Sequence, residues 1–299
     1  MDLLPAAEQA QLQQELRRHC ARHVPMERVR AGLDAGLWRE LTELGVFDLP
    51  VVETALLFEE LGRALVPGPF VGAHLLPDRG MVAVVDARTG PLLVAHLASA
   101  DTLVVLGDAG IGEVPAAAVP ATAVPSVDPL TPLHRLTALP RVSWRGGPAL
   151  SAAWRRTGAL LTAATQVGIA GAVLDRSVRY ARQREQFGRP VGAFQAVKHL
   201  LAEMAVRLEL ARAAVHAAAV AVADAVADAA DDVESAVCAA KLLADEAAVG
   251  NARDAVQAHG GVGFTWELDL HLYLKRAWVH AAQFGTAEEC AERLAHLLV

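Results

Sequence analysis

The sequence predicts a mainly α-helical protein: N-terminal helices, a small reduced β-subdomain and a C-terminal antiparallel four-helix bundle. Three observations carry that prediction. Hydrophobic residues make up 54% of the chain but aromatics only 5%, which suits close-packed alanine-rich helices better than a thick aromatic sheet core. From Leu150 onward, long runs keep apolar residues at helical spacing and are joined by short polar or glycine-bearing connections, the pattern of antiparallel neighbours. Between residues 80 and 148 that pattern gives way to short β-branched runs and to a segment, Glu113 to Pro140, with six prolines. A chain of 299 residues has room for two or three subdomains. We divide it into residues 1–79, 80–148 and 149–299.

Residues 6–46 read as helices, "AAEQAQLQQELRRHCARH" and then "GLWRELTELGVFDLP". Residues 51–66 form another. There Leu57, Leu61 and Ala64, with Leu56 beside them, give an amphipathic period near 3.6, and Pro67 and Pro69 stop it. In the second region "MVAVVD" and "TLVVLG" read as strands. The prolines that follow forbid helix and suit edge strands and loops. "GDAGIG" at 107–112 spaces its glycines G-x-x-G-x-G, not in the dinucleotide order, and runs into the proline segment. It reads as a hairpin turn. The third region holds long helices at 150–183, 193–227, 232–259 and 267–281, and a short one at 287–298. Leu210–Ala230 is very apolar but carries Arg212, His216, Asp224 and Asp228. It reads as a packed helix, not a membrane span.

Composition narrows function. A net charge of −7 gives no basic footprint for nucleic acid. Cys20, Cys238 and Cys290 are an odd, scattered trio without CxxC or zinc spacing, and read as reduced thiols of a cytoplasmic protein. "MDLLPAAEQAQL" lacks the basic region and apolar run of a signal peptide. His19 and His23 could share a helical face toward a metal. No third ligand is nearby and Arg17, Arg18 and Arg22 surround them, so a solvated basic face is expected and no metal is assigned. The chain has no Glu-x-x-His motif, which removes a di-iron bundle.

Two stretches are unusually particular. "RQREQFGRPVGAFQ", Arg182 to Gln195, interrupts alanine-rich helix with Arg, Gln, Phe-Gly and Pro. "DAVQAHGGVGFTWELDL", residues 254–270, ends a helix in His259-Gly260-Gly261 and adds a third glycine. Adjacent glycines suit a left-handed helix cap. They also let another molecule approach the backbone closely. From the residues alone, a tight helix–helix turn and a contact site both stay open.

Together these stretches resemble the acyl-CoA dehydrogenase family. The pairing is Arg-x-x-Phe-Gly ahead of Phe-Gln, then Gln-x-x-Gly-Gly-x-Gly about 60 residues later. The resemblance extends over 150–299 and, more weakly, over 30–70. It implies a helical domain, a β-domain and a C-terminal four-helix bundle. It also implies FAD as cofactor and the α,β-dehydrogenation of an acyl-CoA thioester. Carried over residue by residue, Arg184 is the contact to FAD pyrophosphate of a neighbouring subunit, a role suited to a planar guanidinium fork. Gln186 and Phe187 stand at pyrophosphate and adenine, and Gln195 matches the Gln of Phe-Gln. Gln257, Gly260 and Gly261 match the segment along the adenosine half, and Thr286 matches the Thr of Tyr-Glu-Gly-Thr.

The sequence also departs from that family. The usual catalytic Glu of Tyr-Glu-Gly-Thr aligns with Phe284, which cannot accept a proton. The alternative base position in the first bundle helix falls at or beside Gly158, and no carboxylate lies between Leu150 and Gln166. Glu288 and Glu289 are the remaining candidates. The chain is shorter than full-length members before residue 150. It lacks the Thr-Glu-Pro-Gly-Ala-Gly-Ser-Asp and Trp-x-Thr-Asn stretches beside flavin and substrate. These losses resemble one subunit of the heteromeric actinobacterial acyl-CoA dehydrogenases of steroid breakdown. The expected role is therefore an FAD-dependent subunit in a homo- or hetero-oligomer, needing another acyl-CoA dehydrogenase subunit for the base. Two alternatives stand beside it: a non-catalytic structural subunit, and a repurposed flavin-independent biosynthetic enzyme.

Overall fold

The computed structural model of the chain describes residues 5–225 and 230–297. Met1–Leu4, Asp228, and the last residues expected in the helices ending at 227 and 298 lie outside the described residues. The chain opens with α1 (Ala7–His23), α2 (Met26–Arg30) and α3 (Ala35–Glu43). Asp34 starts α3: its Oδ1 accepts hydrogen bonds from the amides of Gly36 at 2.6 Å and Leu37 at 3.2 Å, satisfying two donors that the first turn leaves open.

Helix α4 (Val51–Arg63) differs from expectation. Its period suggests one apolar stripe, yet every residue from Thr54 to Gly62 is buried. The helix lies between α1 and the C-terminal bundle. Its acids are covered because arginines from both sides meet them: Arg17 bonds Glu60 at 2.7 Å and Arg212 bonds Glu59 at 2.9 Å. The helix ends at Arg63, ahead of the prolines, where Leu65 turns to φ 53°. A short α5 (Phe70–Leu75), not anticipated, follows.

The strands are β1 (Val82–Asp86), β2 (Leu93–Ala95), β3 (Thr102–Gly107), β4 (Gly110–Pro115), β5 (Ala121–Val124), β6 (Leu133–Leu136) and β7 (Arg145–Gly146). They form two sheets, ordered β1-β3-β4-β7 and β2-β6-β5. "GDAGIG" is the β3–β4 hairpin, with Gly107 opposite Gly110. Alternation along the strands gives the first sheet two apolar faces. Ala83, Val85, Leu103 and Val105 pack with Val94 and Leu136 of the second sheet. Val82, Val104, Leu106 and Ile111 pack on Leu150, Trp154 and Phe284.

The C-terminal region is α6 (Gly147–Gln183), a hairpin of β8 (Glu185–Gln186) and β9 (Arg189–Pro190), then α7 (Gln195–Ala223), α8 (Ala230–Ala258), α9 (Leu270–Ala281) and α10 (Ala287–Leu297). Among the described residues, helix α6 is the one long and apolar enough to cross a membrane, but 94% of its apolar window is buried in the protein. It is the central core helix. Helix α4 crosses it at backbone contact: a Cβ on Gly62 would lie 2.1 Å from the carbonyl oxygen of Thr165, and one on Gly168 1.9 Å from that of Glu59.

A buried ion pair ties the three regions together. Arg276 of α9 donates through Nε to Asp128 Oδ2 at 2.5 Å and through Nη1 to the carbonyl of Val66 at 3.1 Å. Burial pushes the Asp128 carboxyl up, but the Arg276 guanidinium and the Thr131 hydroxyl together hold it below the usual carboxylate range.

Candidate functional site

The residues singled out by the sequence fall in two places, about 38 Å apart along α6 at 1.5 Å per residue from Gly158 to Gln183. The first is the C-terminal end of α6. Arg184 caps that helix, its amide bonding the carbonyl of Tyr180 at 2.8 Å. The chain then reverses in two residues, with Gln186 opposite Arg189. Phe187 at φ 53° and Gly188 at φ 76° both take left-handed backbone, as a two-residue hairpin requires. Phe187 is 89% exposed, touching Phe194 edge-on at 6.1 Å. Gln195 is the first residue of α7 and is exposed.

The glycine turn after α8 lies at the same end. The Tyr180 ring stacks on His259 at 4.2 Å, and its hydroxyl donates to the His259 carbonyl at 3.2 Å. Gln257, Gly260 and Gly261 are exposed. Gly260 sits at φ 63°, and a Cβ at either glycine would meet nothing within 4 Å. The backbone is therefore open to a ligand. Gly263 differs: a Cβ there would lie 2.3 Å from the carbonyl of Val256, so it serves the turn itself. Among the described residues, Arg182 and Arg184 make no ion pair, so their charge at this end is uncommitted.

The second place is the turn between α9 and α10, which packs on the N-terminal part of α6. Phe284, at φ 55°, lays its ring against Gly158; a Cβ at 158 would be 2.3 Å from Cδ1 and 2.4 Å from Cε1. Gly158 and Phe284, the residues at or beside which the resemblance expects a base, thus face each other, and a phenyl ring fills the space. Thr286 and Glu289 form a capping box at the start of α10. The Glu289 carboxylate accepts from the Thr286 amide at 2.8 Å, and the Thr286 hydroxyl accepts from the Glu289 amide at 3.2 Å. Glu288 is exposed beside them.

A cavity of about 110 Å³ opens next to Phe284. Arg88, Arg155, Arg156, Arg293, Glu234, Cys238 and Cys290 are among its lining residues. Spacing gave no sign that these two cysteines meet, because they come from α8 and α10. All three cysteines are buried and free. A hydrogen bond from Cys238, with the Lys241 and Arg293 cations, outweighs burial and draws the Cys290 thiol below the usual thiol range. The adjacent Arg155-Arg156 pair in an alanine-rich helix was the one visible sequence signal for this cavity. His19 and His23 stack at 4.6 Å, with His19 3.6 Å from Glu40. No group of three metal-capable side chains occurs among the described residues.

Comparison with known proteins follows the same outline. Residues 156–298 match the family described as acyl-CoA dehydrogenase, C-terminal domain. The chain is 32% identical to acyl-CoA dehydrogenase IpdE2 of Mycobacterium tuberculosis, covering 98% of both chains. It is 34% identical to the IpdE2 of Mycolicibacterium smegmatis, over 91% of this chain and 93% of that one. Both alignments therefore run through the N-terminal half of the chain. Among solved structures, the ChsE4-ChsE5 complex from Mycobacterium tuberculosis superposes with a TM-score of 0.84 at 22% identity, covering 100% of this chain and 99% of that one. At that identity the likeness concerns the fold.

Proposed function

The chain belongs to the acyl-CoA dehydrogenase family, and from that premise we propose that it is a subunit of an FAD-dependent acyl-CoA dehydrogenase that contributes cofactor contacts but no base. Its substrate class is an acyl-CoA thioester. The observation that carries the reading is the contrast between the two ends of α6. One end offers uncommitted Arg184 and the open Gly260-Gly261 backbone. The other holds Phe284 against Gly158 where a carboxylate would have to stand.

These residues fit the tail of FAD. The Arg184 guanidinium suits pyrophosphate oxygens, Gln186 and Gln195 supply amide contacts, Phe187 offers an exposed ring to adenine, and Gln257 with Gly260 and Gly261 offers backbone and side-chain donors. When bound, FAD supplies the hydride acceptor for dehydrogenation between Cα and Cβ. Because the tail contacts and the Phe284 turn are so far apart, they serve different cofactor positions. Arg184 then reaches a flavin seated mainly on a partner subunit. A complex of two differently named chains, as in the ChsE4-ChsE5 structure, is the arrangement expected. Thr286, engaged in its capping box, holds the turn that carries Phe284.

The test is flavin content. The chain co-produced with a partner acyl-CoA dehydrogenase subunit carries the visible flavin spectrum, and Arg184→Gln weakens FAD at least tenfold, the loss expected for a charge-assisted contact worth about 1.5–3 kcal/mol. Colourless protein with every partner, and no FAD binding on titration, rejects the reading. Unchanged flavin affinity in Arg184→Gln, with the complex intact, selects the structural-subunit alternative instead.

A further inference from the structure

The cavity beside Phe284 has a charge that the proposed cofactor role does not use. Four guanidiniums line it, from Arg88, Arg155, Arg156 and Arg293. Two carboxylates answer them. Asp86 holds Arg155 with contacts of 2.7 and 2.9 Å, and stands 3.5 Å from Arg88. Glu234 takes Arg293 at 3.1 Å and is 3.8 Å from Arg156. The nearby Glu289 carboxylate is occupied by the Thr286 amide. Among the described residues, Arg156 has only that longer contact to Glu234. Its side chain is only 22% exposed, and among the described residues it makes no hydrogen bond. A guanidinium shielded from much of the solvent and without a close partner favours an anion with two oxygens in one plane.

The remaining wall is apolar: Ala152, Ala159, Val237 and Phe284, with the thiols of Cys238 and Cys290. The volume, about 110 Å³, admits several waters or a short organic group. The cavity is thus cationic with an apolar floor.

We propose that this cavity is a carboxylate-binding site, in which Arg156 and Arg293 hold the carboxylate and Val237, Ala159 and Phe284 pack against a short apolar stem. Under the function proposed above, on which this part rests, the carboxylate is the free end of a dicarboxylic acyl thioester. The same chemistry would also take a free short-chain acid.

The experiment uses the full chain without flavin. Butyrate and its neutral counterpart butyramide are titrated by ligand-observed NMR, and alkylation of each cysteine by iodoacetamide is followed by peptide mass mapping. Butyrate binds and slows alkylation of Cys238 and Cys290 but not of Cys20, which lies in α1; butyramide does neither. Arg156→Gln combined with Arg293→Gln weakens butyrate at least tenfold, while the paired Lys variants retain part of the affinity. Equal binding of butyramide, or butyrate binding that survives the paired Gln variants, overturns the proposal. The folded state of each variant is checked by its thermal melt, and the Lys pair keeps the test decisive if the Gln pair does not fold. Adipyl-CoA and hexanoyl-CoA identify the source. A tenfold preference for adipyl-CoA, lost in the Gln pair, assigns the carboxylate to the acyl chain; equal affinity with the butyrate effect intact assigns it to a free acid. No arm needs FAD, so failure here is separate from failure of the flavin reading.

Discussion

A methyl group at residue 158 is predicted to be unfavourable only while Phe284 keeps its ring. In an ordinary helix interior, replacing Gly by Ala stabilises by about 1 kcal/mol. At Gly158 the added carbon would stand 2.3, 2.4 and 2.8 Å from three ring carbons of Phe284, well inside the ~3.5–4.0 Å of a good carbon contact. The ring cannot slide away freely, since it packs with Leu150 and Trp154 against Val82, Val104 and Ile111 of the sheet. Overpacking of this kind costs about 3 kcal/mol at the upper end of its usual range. The net effect of Gly158→Ala is then a loss of about 2 kcal/mol. Phe284→Ala alone loses about 2 kcal/mol, less than for a fully buried ring, because Phe284 is half-buried. In the Phe284→Ala background the methyl enters the emptied space, and Gly158→Ala becomes favourable by about 1 kcal/mol. The cycle therefore carries a coupling of about 3 kcal/mol, with a change of sign. Urea unfolding of the four proteins measures it. Stabilisation by Gly158→Ala in the parent chain, or a coupling below about 0.5 kcal/mol, would refute the packing described.

Three further outcomes follow from polar groups described above. Asp128→Asn leaves the Arg276 guanidinium, 3% exposed, without its counter-charge, and should lower stability by about 3–5 kcal/mol; adding Arg276→Met should return part of that loss in the same unfolding assay. Burial chiefly, with the Arg276 charge, holds His96 down to about 3 and His280 down to about 4. Both stay neutral when folded but take up protons below about pH 6.5 when unfolded, so stability is full above that pH and falls as pH drops toward 4. Each of the two contributes a slope of about 1.4 kcal/mol per pH unit, measurable as the pH dependence of the urea midpoint, and His280→Gln should reduce the total slope by about that amount. Thr286→Ala and Glu289→Ala each remove half of one capping box and should each cost about 1 kcal/mol, with a double variant costing little more than either.

The long bundle helices were legible because their apolar spacing is local: α6, α7 and α8 begin and end close to where the period starts and stops. The β3–β4 hairpin was legible from its glycine spacing. The burial of α4 was not. A period of 3.6 shows that one face is apolar, but whether Glu59 and Glu60 on the other face meet solvent depends on Arg212 and Arg17, which are remote in sequence. The same holds at the candidate site. Arg184, Gln257 and the two open glycines were marked by motif, and the empty base positions by their residues. That Gly158 and Phe284 complement each other, and that Cys238 meets Cys290, depends on how α6, α8 and α10 come together, which no single stretch encodes.

The glycine contact between α4 and α6 bears on how the protein comes apart. With Gly62 and Gly168 in backbone contact, α4 has no layer of flexible side chains on which to slide or peel. One continuous apolar cluster runs from Leu16 and Leu41 through Phe58 to Leu161, Ala247 and Tyr273. The amides of α4 are therefore bound to exchange with solvent in the same opening event as those of α6, as one foldon, although the β-region separates the two helices along the chain.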